Sequence, residues 1–312
     1  MTTFLSGPVT VAVPATSANL GPGFDALGLA LAHRDSVTAE VVDGPGVEIT
    51  VRGRGEAVVP LDERHLVHRS MCSAFAQMRA EVPSLRLFCH NVIPHARGLG
   101  SSSAAIVAGV CLARGLVAGG LLLMDDEAVL ALAADLEGHP DNVAPALLGG
   151  FTVAYRDGER FRAVSLSVDP RVQVVVFVPP TGVQTSEARR LLPATVPHHD
   201  AAVNAGRAAL LVAALGSRPE LLLAATEDRL HQAYREPAMP DSLALMRSLR
   251  SDGLPAVVSG AGPTVLVLTD RSRQESVAAR APHGWDALSL TVDTDGARLH
   301  LPDEASTHQD AG

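Results

Sequence analysis

The densest concentration of reactive residue types lies at residues 93–109, IPHARGLGSSSAAIVAG. A proline closes an apolar run, two glycines flank Leu99, and three serines open a small-residue helix. Gly98 and Gly100 permit positive φ and close backbone approach. The unpaired N–H groups at a helix start, together with the dipole, receive phosphate without help from a lysine. First-turn serine hydroxyls add oxygen ligands of the kind that Mg2+ takes. Alone, however, GLGS reads first as turn glycines and a capping serine.

Two further segments have related character. Residues 11–28, VAVPATSANLGPGFDALG, hold Thr16, Ser17, Asn19 and Asp25 among glycines, as a site for a small polar ligand would. They contain a nominal GxGxxA, with Glu40 further on in the position of a ribose-binding acid. A dinucleotide turn should leave its strand directly into a long helix. Here the strand is expected to end at Pro14, seven residues before Gly21, and Gly28 interrupts the next apolar segment. Residues 256–268, AVVSGAGPTVLVL, are two apolar strands around a tight glycine turn.

The elements that must position these segments are read from periodicity. Strands are expected at 8–14, 36–42 paired with 47–53, 84–92, 150–155, 172–178, 255–258, 264–268 and 286–292, with a further apolar segment at 26–33. Helices are expected at 62–80, 101–118, 125–137, 185–191, 200–215, 219–233, 240–250 and 271–281. The layout is α+β with mixed strands. It divides near RDGERFRA into residues 1–160 and 161–300, with a polar, non-periodic tail over 301–312. A chain of 312 residues passes the size at which one core suffices, so two lobes are expected.

Composition excludes several classes. Every one of the 25 basic residues is arginine, so the lysines of P-loop NTPases, protein kinases and pyridoxal enzymes are missing. A net charge of −9 without a basic stripe argues against nucleic acid as a partner. Aromatics make up only 3% against 47% hydrophobic residues, so Ala, Val and Leu must build the core. Cys72, Cys89 and Cys111 form no CxxC pair and read as buried thiols in a reducing compartment. Neither a signal peptide nor a membrane span is read, so a cytoplasmic protein is expected. His65 and His68 are helix neighbours without further ligands nearby, and His198-His199-Asp200 reads as a helix start.

With PxxxGLGSSSAA, PATSANLGPGFD, LEGHPDN and SGAGPT in this order, the sequence resembles the GHMP kinase family and, within it, the homoserine branch, from residue 8 to about residue 295. The resemblance implies an N-terminal lobe like ribosomal protein S5 domain 2, a C-terminal ferredoxin-like lobe and an active site between them. It implies ATP and Mg2+, and L-homoserine as the small molecule phosphorylated on the route to threonine. The ATP loop would comprise Pro94, His95, Ala96, Arg97, Gly98, Leu99, Gly100, Ser101, Ser102, Ser103 and Ala104. Ser102 and Glu137 would hold the metal. Asn142 falls where related enzymes place an aspartate base, and Asn19 would sit near the reacting hydroxyl, so these two are the catalytic residues implied. Asparagine takes up no proton, which suits a loose transition state governed by positioning and charge. His139, Asp141 and Gly260 would line the substrate site, Asp25 would hold the ammonium, and Arg189 and Arg235 would clamp the carboxylate. Family members often carry Asn before Leu-Val near residue 65, where it helps read adenine; here His65 stands. The resemblance also admits a homodimer. Other readings are a GHMP kinase for mevalonate or a sugar, a nucleotide-binding sensor without turnover and, more remotely, a hydride-transfer enzyme.

Overall fold

Pro14 does not end the first strand. In a computed structural model describing residues 2–302, β1 (Val9–Ala18) continues through it and carries Thr16 and Ser17. Its register against the next strand shifts between Pro14 and Ala15, an irregularity at which a residue lacking N–H is tolerated. The expected segments 26–33 and 36–42 are likewise one strand, β2 (Leu27–Val41). β2 does not pair with β3 (Val47–Gly53), because β4 (Leu85–Asn91) lies between them and runs parallel to β3. Such strand order is set by long-range packing, which local alternation does not encode.

The larger sheet has the order β11-β1-β2-β4-β3, where β11 is Arg298–His300, and the start of β2 also pairs β5 (Phe151–Asp157), itself paired with β6 (Arg160–Leu166). β11 returns from the far end of the chain to pair β1. In β4, Leu85, Leu87 and Cys89 are buried while Arg86, Phe88 and His90 are exposed. One face of this sheet region is therefore wet and the other covered. The core beneath is filled from the sheet and from α1 (Leu66–Gln77), α2 (Ser101–Leu116), α4 (Asp126–Glu137) and α5 (Val143–Leu148), while the leucines of the short α3 (Gly120–Leu123) are exposed.

The smaller sheet has the order β10-β7-β9-β8, all antiparallel, from β7 (Gln173–Val178), β8 (Ala256–Val258), β9 (Val265–Thr269) and β10 (Asp286–Leu290). Between β7 and β8 come α6 (Thr185–Arg190), α7 (His198–Gly216), α8 (Leu222–Ala225) and α9 (Pro240–Ser251), and α10 (Gln274–Ala278) comes after β9. This βαββαβ order is ferredoxin-like, as expected. The expected division at 160/161 cuts the β5–β6 hairpin, both strands of which belong to the larger sheet; we therefore propose to place it after Leu166.

The helix expected at 219–233 breaks at Thr226. Thr226 Oγ1 donates to the Leu222 carbonyl, and the Asp228 carboxylate takes the N–H groups of Leu230, His231 and Gln232. Side-chain bonding to the backbone here competes with the helix and ends it. The helix expected at 271–281 is only the short α10. Cys89 and Cys111 are buried and their thiols are pushed up by burial to about 12 and about 11, whereas Cys72 is only half-buried. No helix among the described residues is long and apolar enough to cross a membrane. Of the tail expected over 301–312, residues 303–312 lie outside those described.

Candidate active site

Loop 94–100, the end of β1 and the turn at 259–264 are stitched together. Thr16 N–H donates to Leu99 O (3.1 Å), Gly260 N–H to Ala18 O (3.0 Å) and Thr264 N–H to Arg97 O (3.3 Å). Ser259 Oγ donates to the Gly98 carbonyl at 2.5 Å and lies 2.8 Å from Ser17 Oγ. Gly98 and Gly100 have φ of +76° and +69°, where a side chain is strained. A Cβ on Gly98 would fall 2.3 Å from Ser259 O, and one on Gly100 would fall 1.9 Å from Thr16 Oγ1. Glycine at both positions is thus required by contact as well as by conformation.

No side chain caps α2, whose N-cap is Gly100, so its first N–H groups point out with the positive end of the dipole. At this point Ser102 Oγ and Ser103 Oγ donate to Glu137 Oε1 at 2.7 and 3.0 Å. Glu137 is the last residue of α4, which Gly138 closes at φ +90°.

Two cavities meet at the start of α2, both lined by Ser101 and Ser102. One, of about 250 Å³, has walls of Val37, Val59, Leu66 and Val67, with His65 and His95 facing it. Burial pushes both imidazoles below the ordinary histidine range, and the buried His65 Nδ1 has no hydrogen-bond partner. At its edge Asp35 accepts the N–H groups of Val92 and Ile93, and burial raises its carboxyl.

The other cavity, of about 220 Å³, is polar and charged. Asn142 Oδ1 accepts from Thr16 Oγ1 at 2.8 Å, which leaves the Asn142 amide N–H groups for the cleft. Asn19 lines it too, yet both ends of its amide are engaged: Nδ2 donates to Gly260 O and Oδ1 accepts from Asp25 N–H, each at 2.9 Å. His139 Nδ1 meets the buried Asp141 carboxylate at 2.8 Å, and that bond holds the imidazolium above its ordinary range against burial. Arg189 forms a two-pronged pair with Asp25, at 2.7 and 3.1 Å, which raises its pKa. Arg235 is buried at 1% exposure with its Nε unpartnered; burial, and then Arg189 nearby, lower it to about 10.

The sequence-predicted residues separate into three groups. Asn19, Ala96, Gly98, Gly100, Ser101, Ser102, Glu137, His139, Asp141, Asn142, Arg189, Arg235 and Gly260 share the charged cavity, with Asp25 held against Arg189 at its side. His95 and Ala104 line the apolar one. Pro94, Arg97, Leu99 and Ser103 line neither: Leu99 is core, and the Arg97 guanidinium is tied to the carbonyls of His95, Pro179 and Pro180. Reading the sequence missed Phe24, whose ring lies 5.6 Å from the Cζ of both Arg189 and Arg235. It also missed Asp35, the roles of Thr16 and Ser259 in holding the loop, and His231 beside Arg235. The i, i+4 spacing of His231 and Arg235 was the available signal for the last.

Comparison with known proteins is extensive. The family model for the GHMP kinases N terminal domain matches residues 65–150, and that for GHMP kinases C terminal matches residues 207–287. The homoserine kinase of Streptomyces avermitilis is 55% identical over 296 residues, covering 95% of this chain and 97% of that one. That of Clavibacter michiganensis is 52% identical over 303 residues, covering 96% of each. Among solved structures, homoserine kinase from Cytophaga hutchinsonii superposes with a TM-score of 0.83 at 27% identity, over 95% of this chain and 98% of that one. Mevalonate diphosphate decarboxylase from Staphylococcus aureus, with a TM-score of 0.67 at 14% identity and coverage of 94% and 98%, shares the fold.

Proposed function

The chain belongs to the GHMP kinase family, in its homoserine kinase branch, and on that premise we propose how its two cavities divide the transfer of phosphate from ATP to the hydroxyl of L-homoserine. The observation that carries this reading is the meeting of an apolar and a charged cavity at one uncapped helix start. The apolar cavity suits adenosine, and the N–H groups of α2 suit the phosphates. The charged cavity supplies what an amino acid demands, an acid and two guanidinium groups, with room for a short hydroxyl chain between them.

Transfer forms a bond from the substrate hydroxyl oxygen to the γ-phosphorus and breaks the bond to the β,γ-bridging oxygen, with loss of the hydroxyl proton. Asn142, held by Thr16, presents amide donors and takes no proton. Its part is to orient the hydroxyl and the equatorial phosphate oxygens. Asn19 ties the Asp25 turn to Gly260 and so fixes the pocket wall. Ser102 and Glu137 fit Mg2+, being an all-oxygen pair 2.7 Å apart at the phosphate-receiving end of α2. Bound there, the ion would neutralise charge on the β- and γ-phosphates.

ADP release from Mg-ATP should be confined to L-homoserine when mevalonate, galactose and no acceptor are run beside it. Turnover of galactose or mevalonate instead would overturn the assignment of the charged cavity to an amino acid.

A further inference from the structure

His231 is the one fully buried histidine of the described residues, at 0% exposure, and the transfer of phosphate makes no use of it. Its Nε2 lies 2.7 Å from the carbonyl oxygen of Gly21. A carbonyl only accepts, so Nε2 carries the hydrogen. Nδ1 lies 3.1 Å from Nη1 of Arg235, and a guanidinium only donates, so Nδ1 must carry a lone pair. One neutral tautomer satisfies both contacts. Burial keeps the ring neutral, pushing it below the ordinary range against the opposing pull of Asp228, whose carboxylate is 3.6 Å from Nε2.

The ring acts as a spacer of fixed length between the Gly21–Asp25 turn and the guanidinium. Nη1 of Arg235 gives its other bond to Gly260 O at 2.9 Å, so its hydrogen bonds to the protein all fall on Nη1. Nε has no partner, and Arg235 lines the charged cavity. Phe24 covers the arrangement, its ring 5.2 Å from that of His231 and beneath both arginines. A guanidinium pinned by one nitrogen keeps its remaining edge aimed in one direction, and bidentate capture of a carboxylate depends on that aim.

We propose that His231, as the Nε2–H tautomer, is a positioning residue that orients Arg235 towards the carboxylate of the amino-acid substrate. This rests on the proposed function, in which Arg235 receives the carboxylate.

The test separates the two ring nitrogens. In His231→Asn the side-chain oxygen falls where Nδ1 stood and can accept from Arg235. In His231→Gln the amide nitrogen falls where Nε2 stood and can donate to Gly21 O, but no acceptor faces Arg235. His231→Leu and His231→Gln should raise KM for homoserine about tenfold, the value of a lost bond to a charged group, with KM for ATP and kcat within about twofold. His231→Asn should recover most of the loss. In an Arg235→Leu background, His231→Leu should add less than about twofold, because the contact it removes is already gone. Equal rises in both KM values, rescue by Gln rather than Asn, or full additivity with Arg235→Leu would reduce His231 to a structural role and overturn the proposal. Should Arg235→Leu alone leave KM for homoserine unchanged, the underlying carboxylate reading fails instead, and the proposal with it. The Asn and Gln variants keep a polar group at the site, so the comparison survives if Leu does not fold.

Discussion

The two cavities that share Ser101 and Ser102 are built on opposite principles. The apolar one is walled by Val37, Val59, Leu66 and Val67, and its histidines are pushed below their ordinary range by burial. The charged one holds three carboxylates and two guanidinium groups in or beside the cleft, and its histidine is held above the ordinary range by Asp141. A flat, largely neutral group gains from being taken out of water, whereas a small zwitterion must be given charges to replace its lost hydration. The start of α2, common to both, is where charge must be handled whatever lies on either side.

That hub gives the largest expected effect. Gly100→Ala puts a Cβ 1.9 Å from Thr16 Oγ1 and 3.2 Å from Asn142 Oδ1, at a φ that alanine resists. It should lower kcat/KM for both substrates by about a hundredfold or more, since small misplacements of reacting groups cost that much. An effect on only one substrate would break the idea of a shared hub. Arg235→Leu comes next and should respect the division, raising KM for homoserine about thirtyfold while KM for ATP moves less than about twofold. Equal changes in both would count against a carboxylate receptor confined to one side.

The same contrast explains what could be read from the sequence. The proposed phosphate cradle is contiguous, so the whole of it is visible in residues 93–109, where the local physics of glycine and helix starts suggests it and the full motif decides it. The charged cavity draws on six separated segments, and only resemblance brings Glu137, Asn142 and the two arginines to it. Its supports were invisible for definite reasons. Thr16 lay beyond a strand thought to end at Pro14, and the register shift that carries β1 onward depends on its partner strand. His231 lies in a stretch expected as continuous helix, which stops at Thr226 and does not resume because Asp228 takes three backbone N–H groups. Arg97 looked like a phosphate ligand by position, yet three carbonyls occupy it. Strand order was likewise beyond local pattern, since β4 enters the sheet between β2 and β3 from a later part of the chain.

The smallest expected effect concerns pH, and here the two cavities should differ in sign. His139 has its pKa raised in the fold, chiefly by the bond to Asp141. The stabilisation from that pair is complete below about pH 6.5, the unfolded value, and is lost as pH rises through the folded one. His65 and His95 have theirs lowered, chiefly by burial, so the unfolded chain binds their protons more readily. Their neutral burial is fully compatible with the fold above about pH 6.5 and costs stability as pH falls through the folded values. Thermal unfolding followed from about pH 5 to about pH 8.5 should therefore show two separable slopes. His139→Asn should flatten the alkaline side and leave the acid side, and His65→Asn should do the reverse, each by about 2 °C. A single variant that flattened both sides would mean that the cavities titrate as one site. An alkaline slope unchanged in His139→Asn would remove the Asp141 pair as its source.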